Sequence, residues 1–140
     1  MSCFWGGGTK TWPGTLGESP ALLRVDGDRA SVGVARRAAR RYAAVCCPRL
    51  DPGHVELVAS ELCTNALRYA DGWWRLRVHA HRDRLVLDVD DDCSVLPRTR
   101  VPDLEHGSGG LGLVLVEELA EECRVIRHPG GKTVRAVFAR

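Results

Sequence analysis

The chain has 140 residues and a net charge of +2, with 44% hydrophobic and 27% charged residues. This length suits one domain with a buried core, and the composition is not that of a disordered chain. The near-neutral charge gives no ground for nucleic-acid or membrane-surface binding, and no stretch is apolar for long enough to span a bilayer.

Residues 1–19, rich in Gly, Thr, Trp and Pro and without periodicity, read as a flexible leader before a domain over 20–140. "ALLRV" (21–25) is a short strand candidate. Asp28 or Ser31 can cap the helix that follows, through "VGVARRAARRYAAVCC", which Pro48 stops. Pro52 opens a second helix over about 53–70. There Val55, Val58, Leu62 and Ala66 recur at helical spacing, with Ala59, Cys63, Leu67 and Ala70 broadening the apolar stripe. "DG" at 71–72 ends it, and two alternating runs hinged near Arg82–Asp83 predict an antiparallel hairpin. Residues 92–109 have no periodicity, and a loop of that length is often a lid. A third helix over about 110–122 and two strands around the "GG" turn close the chain.

The order β-α-α-β-β-lid-α-β-β predicts an α+β fold. It would be a two-layer α/β sandwich, with helices on one face of a mixed, mostly antiparallel sheet. Six cysteines lack C-x-x-C spacing, which speaks against a zinc site. The start of the chain lacks the basic and apolar runs of a signal peptide, so the expectation is a reduced, cytoplasmic protein. His79 and His81 fall on a strand where solvent exposure is expected. Lys10 and Lys132 are the only lysines.

Four patches carry polar groups that a fold alone does not require. In "SELCTNALRYA", Leu57, Glu61 and Asn65 are spaced four apart and so form one row on the second helix, with Arg68 and Tyr69 a turn beyond. An Asn oxygen suits Mg²⁺, which retains waters and takes few protein ligands. A carboxylate one turn earlier can orient such a water or act as a general base. In "LDVDDDCS", three ionised aspartates would repel one another if all were buried. Alternation places Asp91 with Leu85, Leu87 and Val89 on the core face, where it can accept a hydrogen bond from an amino group. "HGSGGLGLVLVEELA" runs glycines into a helix start, a setting for phosphate binding. It follows no strand and has no Walker lysine, which speaks against dinucleotide and P-loop sites. In "GGKTVRAVF", the Thr133 hydroxyl enters a strand where it can reach an inward polar group or water. Taken singly, each patch also has a plain explanation: a solvated helix face, an acidic turn, a flexible loop, and a hairpin turn with a solvated lysine.

In this order the four patches resemble the boxes of the Bergerat-type ATP-binding domain shared by histidine kinases, type II topoisomerases, MutL proteins and heat-shock chaperones. They are most similar to the small bacterial anti-sigma-factor serine/threonine kinases. "ELCTNALRYA" resembles the N box, "VDVDDDCS" the adenine-binding Asp box, "GLGL" (Gly110, Leu111, Gly112, Leu113) the second glycine box and "GGKT" (130–133) the third. The likeness covers roughly residues 20–139 and rests on order and spacing together.

The resemblance implies ATP and Mg²⁺ as ligands. Asn65 would ligate the metal, Glu61 would activate a substrate serine, Arg68 would lie near the phosphates and Asp91 would hold the adenine amino group. The lid, with Gly110 to Leu113, would wrap the triphosphate, and Thr133 would support the adenine pocket. It implies as partners an anti-anti-sigma protein as substrate and a sigma factor to sequester, with a homodimer as a further expectation and no direct nucleic-acid or membrane contact. A nucleotide-dependent binding regulator without phosphotransferase activity is the alternative. Where the family often has Asp-x-Gly, this chain has Asp91-Asp92-Cys93.

Overall fold

The computed structural model describes residues 22–27, 31–93 and 109–140, with 109–113 described by backbone alone. The leader and nearly all of the long loop, including Arg98, Arg100 and His106, lie outside the described residues. The elements are β1 (Leu23–Asp26), α1 (Val32–Cys46), α2 (Pro52–Tyr69), β2 (Trp74–Ala80), β3 (Arg84–Asp91), α3 (Gly109–Leu119), β4 (Glu122–His128) and β5 (Gly131–Ala139).

Local chemistry sets the helix ends. The Ser31 hydroxyl caps α1 by accepting from the Val34 N–H at 3.1 Å. Asp51 caps α2 by accepting from the Gly53 N–H at 2.9 Å, with Pro52 in the first turn, where its missing N–H costs nothing. α3 stops at Leu119, short of the expected 122, because the Glu121 N–H already bonds the Val137 carbonyl and β5 captures the chain.

The strands form one sheet in the order β1-β2-β3-β5-β4. Every described pairing is antiparallel, so the expected mixed character is absent among the described residues. Hairpins join β2 to β3 and β4 to β5. The long excursion through α3 brings β5 back beside β3, placing β3 at the centre.

The helices pack on the face that carries Leu76, Val78, Leu85, Leu87, Val89, Val134, Ala136 and Phe138. α1 contributes Ala35, Ala39 and Ala43, small residues spaced four apart that allow it to lie close against α2. α2 buries Val55, Val58, Ala59, Leu62, Cys63 and Ala66 as its spacing predicts, but Leu67 is 60% exposed and lies outside the stripe. Full burial of side chains such as Leu62 or Leu87 contributes about 1.5–3 kcal/mol each. The Tyr42 hydroxyl fastens α1 to the sheet by accepting from the Ala80 N–H at 3.0 Å. The five described cysteines are all free, and none of the described helices is long and apolar enough to cross a membrane.

Candidate functional site

Asp91 ends the central strand on the helix-covered face and is only 2% exposed. Its cross-strand neighbours are Trp74 on β2 and Lys132 on β5. The period-two argument for Asp91 therefore holds, and the same period carries Lys132, Val134, Ala136 and Phe138 onto that face. Lys132 is buried, contrary to the expected solvated turn lysine. Its ammonium donates to Asp91 Oδ1 at 3.0 Å, to Asp91 Oδ2 at 3.1 Å and to the Cys93 carbonyl at 3.2 Å. Asp91 Oδ1 also accepts from the Cys93 N–H at 2.8 Å, which curls the chain back as it leaves the strand.

Two glycines shape this end of the hairpin. Gly130 has φ +85°, a left-handed turn conformation that L side chains rarely adopt. At Gly131 a Cβ would lie 2.0 Å from the Asp91 carbonyl oxygen, so only glycine allows β5 to approach β3 here.

Thr133 is buried, and its hydroxyl reaches a polar side chain as expected. It pairs with Asp90, so its side chain lies on the sheet face opposite Asp91. Its hydroxyl donates to Asp90 Oδ1 at 2.6 Å and lies 3.1 Å from His128 Nε2. Lys132, not Thr133, is the cross-strand neighbour of Asp91 on β5.

The same far face carries a polar lattice that neither composition nor motif revealed. Arg77 makes a two-pronged pair with Asp90 at 2.7 and 2.8 Å, and Arg135 a similar one with Asp88 at 2.9 and 3.1 Å. Such forked bonds are stronger than neutral ones and fix geometry. Burial pushes the Asp88 carboxyl above its usual range despite Arg135 and Arg77. Although burial opposes it, Asp90 and then Asp88 hold the Arg77 guanidinium above its ordinary value. The signal was the charge alternation Arg75, Arg77 against Asp88, Asp90 and Arg135, legible once the strands are paired.

Asp92, the third aspartate, ties α2 to the sheet. Its Oδ1 accepts from the Asp71 N–H at 2.8 Å, just past the end of α2. Desolvation acts against it, but the backbone N–H groups of Gly72, Asp71 and Trp73 hold its carboxyl below the ordinary range. The three aspartates thus escape mutual repulsion by facing separate partners: Arg77, Lys132 and the α2–β2 backbone.

This tie puts the last turns of α2 at the same end of the sandwich as Asp91. Glu61 and Asn65 are half-buried at the border of the apolar stripe, and Arg68 is exposed in the last turn. Gly110, Leu111, Gly112 and Leu113 lie in the first half of α3, which packs against α2. Among the described residues no three His, Cys, Asp or Glu side chains gather to hold a metal. An ion at this end would draw on the Asn65 amide oxygen, water and phosphate oxygens, a donor set that suits Mg²⁺.

The histidine pair also departs from expectation. His81 is buried, with its ring 4.4 Å from that of His79 in an edge-on arrangement. Desolvation, then the charges of His79, Arg84 and Arg135, push its pKa down to about 4.

Among known proteins, the family described as the histidine kinase-like ATPase domain matches residues 25–138. That span runs from β1 to β5 and contains the α2 row, Asp91, the glycine run and Lys132. None of the curated proteins matches the chain.

Proposed function

Since the chain belongs to the histidine kinase-like ATPase domain family, whose members bind ATP, we propose that it is an Mg²⁺- and ATP-binding anti-sigma regulatory factor with protein-serine kinase activity. Its substrate would be an anti-anti-sigma protein, and the partner it sequesters a sigma factor. The observation that carries the reading is the joint placement of the α2 row and a buried strand-end carboxylate at one end of the sandwich.

In this reading Asp91 accepts a hydrogen bond from the adenine amino group, and Asn65 supplies the protein's oxygen to Mg²⁺. Arg68 lies near the phosphates, and the backbone of Gly110 to Leu113 closes against them, where a helix start favours negative charge. Bound ATP supplies the phosphoryl group. Glu61 takes the proton of the serine hydroxyl as its oxygen bonds to the γ-phosphorus and ADP leaves. Such transfer asks mainly for positioning and charge stabilisation.

The test is transfer of labelled γ-phosphate from ATP to a co-encoded anti-anti-sigma protein. Transfer by the parent chain, lost in Glu61→Ala while ATP binding survives, is the expected result. Transfer retained by Glu61→Ala removes Glu61 as the base. Binding without any transfer by the parent leaves a nucleotide-dependent regulator that is not an enzyme.

A further inference from the structure

Lys132 lies at this end of the sandwich, is not used by the proposed function, and makes a full set of bonds. An ammonium has three hydrogens to donate. Here it has three acceptors within reach: both oxygens of Asp91 and the carbonyl of Cys93. Asp91 Oδ1 is taken a second time by the Cys93 N–H. Both side chains are nearly removed from solvent, at 6% and 2% exposure, and the low dielectric there strengthens each bond. Lys132 and Asp91 therefore form a tightly held pair, with two donors on Oδ1 and one on Oδ2, anchored by direct strand pairing and by the close approach that Gly131 allows.

We propose that Lys132 is an affinity-determining residue of the base pocket: in the free protein its ammonium neutralises, and competes for, the acceptor that the exocyclic amine of the base requires. This rests on the reading of Asp91 as the base acceptor. A neutral amine N–H is a weaker donor to a carboxylate than an ammonium is. A base amine therefore meets a carboxylate whose charge Lys132 already neutralises: it either shares Oδ2, which accepts one bond from Lys132, or displaces the ammonium, and either way affinity is lost. The site is thereby set for weak binding of amino-bearing purine nucleotides. A neutral side chain at position 132 leaves the buried carboxylate short of donors, and a base amine then supplies one at no such cost.

Because Lys132 also adds positive charge near a triphosphate, the test compares two ligands of equal charge. The full chain, Lys132→Met and Lys132→Gln are titrated calorimetrically, in Mg²⁺, with ATP and with purine riboside triphosphate, which lacks the 6-amino group. Methionine keeps an unbranched stem but makes no bond to Asp91. Glutamine provides a neutral, more easily displaced donor should the methionine variant fold poorly. The expected result is a gain in ATP affinity of about tenfold, equivalent to about 1.4 kcal/mol, with a clearly smaller gain for purine riboside triphosphate. Unchanged or weaker ATP binding in the folded variants overturns the proposal, as does an equal gain for both ligands. If neither the parent nor any variant binds either nucleotide, the reading of the pocket itself fails and the proposal fails with it.

Discussion

Gly131→Ala is a small change with a calculable consequence at the site. The added Cβ would sit 2.0 Å from the carbonyl oxygen of Asp91 and 3.0 Å from its carbonyl carbon and from Asp92 Cα. All three are backbone atoms, so no side-chain rotation relieves the overlap. Ordinary carbon contacts lie at about 3.5 Å, so β3 and β5 must part by about 1 Å or more at this end. Overpacking of this kind typically costs about 1–3 kcal/mol. For a domain of this size that lowers Tm by roughly 3–15 °C. The overlap falls on the backbone of Asp91 itself, which displaces its carboxylate from the base pocket, so ATP binding is expected to weaken as well. Differential scanning calorimetry and nucleotide titration of the same preparation read both effects. A Tm within about 1 °C of the parent, with unchanged ATP affinity, would refute the close approach of the strands and the site geometry built on it.

Two further outcomes follow from the polar lattice and the buried histidine. Arg135→Met strips Asp88 of its forked partner and is expected to cost about 3–5 kcal/mol, read by urea unfolding. Since burial already raises the Asp88 pKa, stability linked to this group is present at acid pH and lost as pH rises through its folded value. The variant's deficit is therefore larger at pH 7 than near pH 4, and a deficit independent of pH would contradict the assignment. His81, whose folded pKa is lowered to about 4, contributes stability that is present above its ordinary 6.5 and lost as pH falls below it. Replacing His81 with Gln should flatten the fall in unfolding free energy between pH 6.5 and 4, and an unchanged slope there would show that another group governs it.

Much of this architecture is legible from periodicity. The α2 stripe, the β2–β3 hinge near Arg82–Asp83 and the capping Ser31 all follow from spacing and local hydrogen-bonding chemistry. Asp91 was legible for the same reason, since Leu85, Leu87 and Val89 declare the covered face. Reading Lys132 as a solvated turn residue hides its burial, because β5 already begins at Gly131. Counting back by twos from Phe138 lands on Lys132. The Asp88–Arg135 pair depends on register between strands far apart in sequence, which no single segment encodes, and the Arg77–Asp90 pair on the register of the β2–β3 hairpin. Leu67 shows the converse limit: an apolar residue at acceptable helical spacing still faces solvent, because the stripe is set by what packs against it.

The central claim is that Asn65 and Asp91 serve one Mg²⁺-dependent ATP site, and calorimetric titration of the full chain with ATP tests it most directly. The account predicts binding in Mg²⁺ that is lost on chelation, and weakened at least about tenfold by Asn65→Ala and by Asp91→Ala in variants that remain folded. Absence of ATP binding by the parent, or affinity unchanged in both variants, would contradict it.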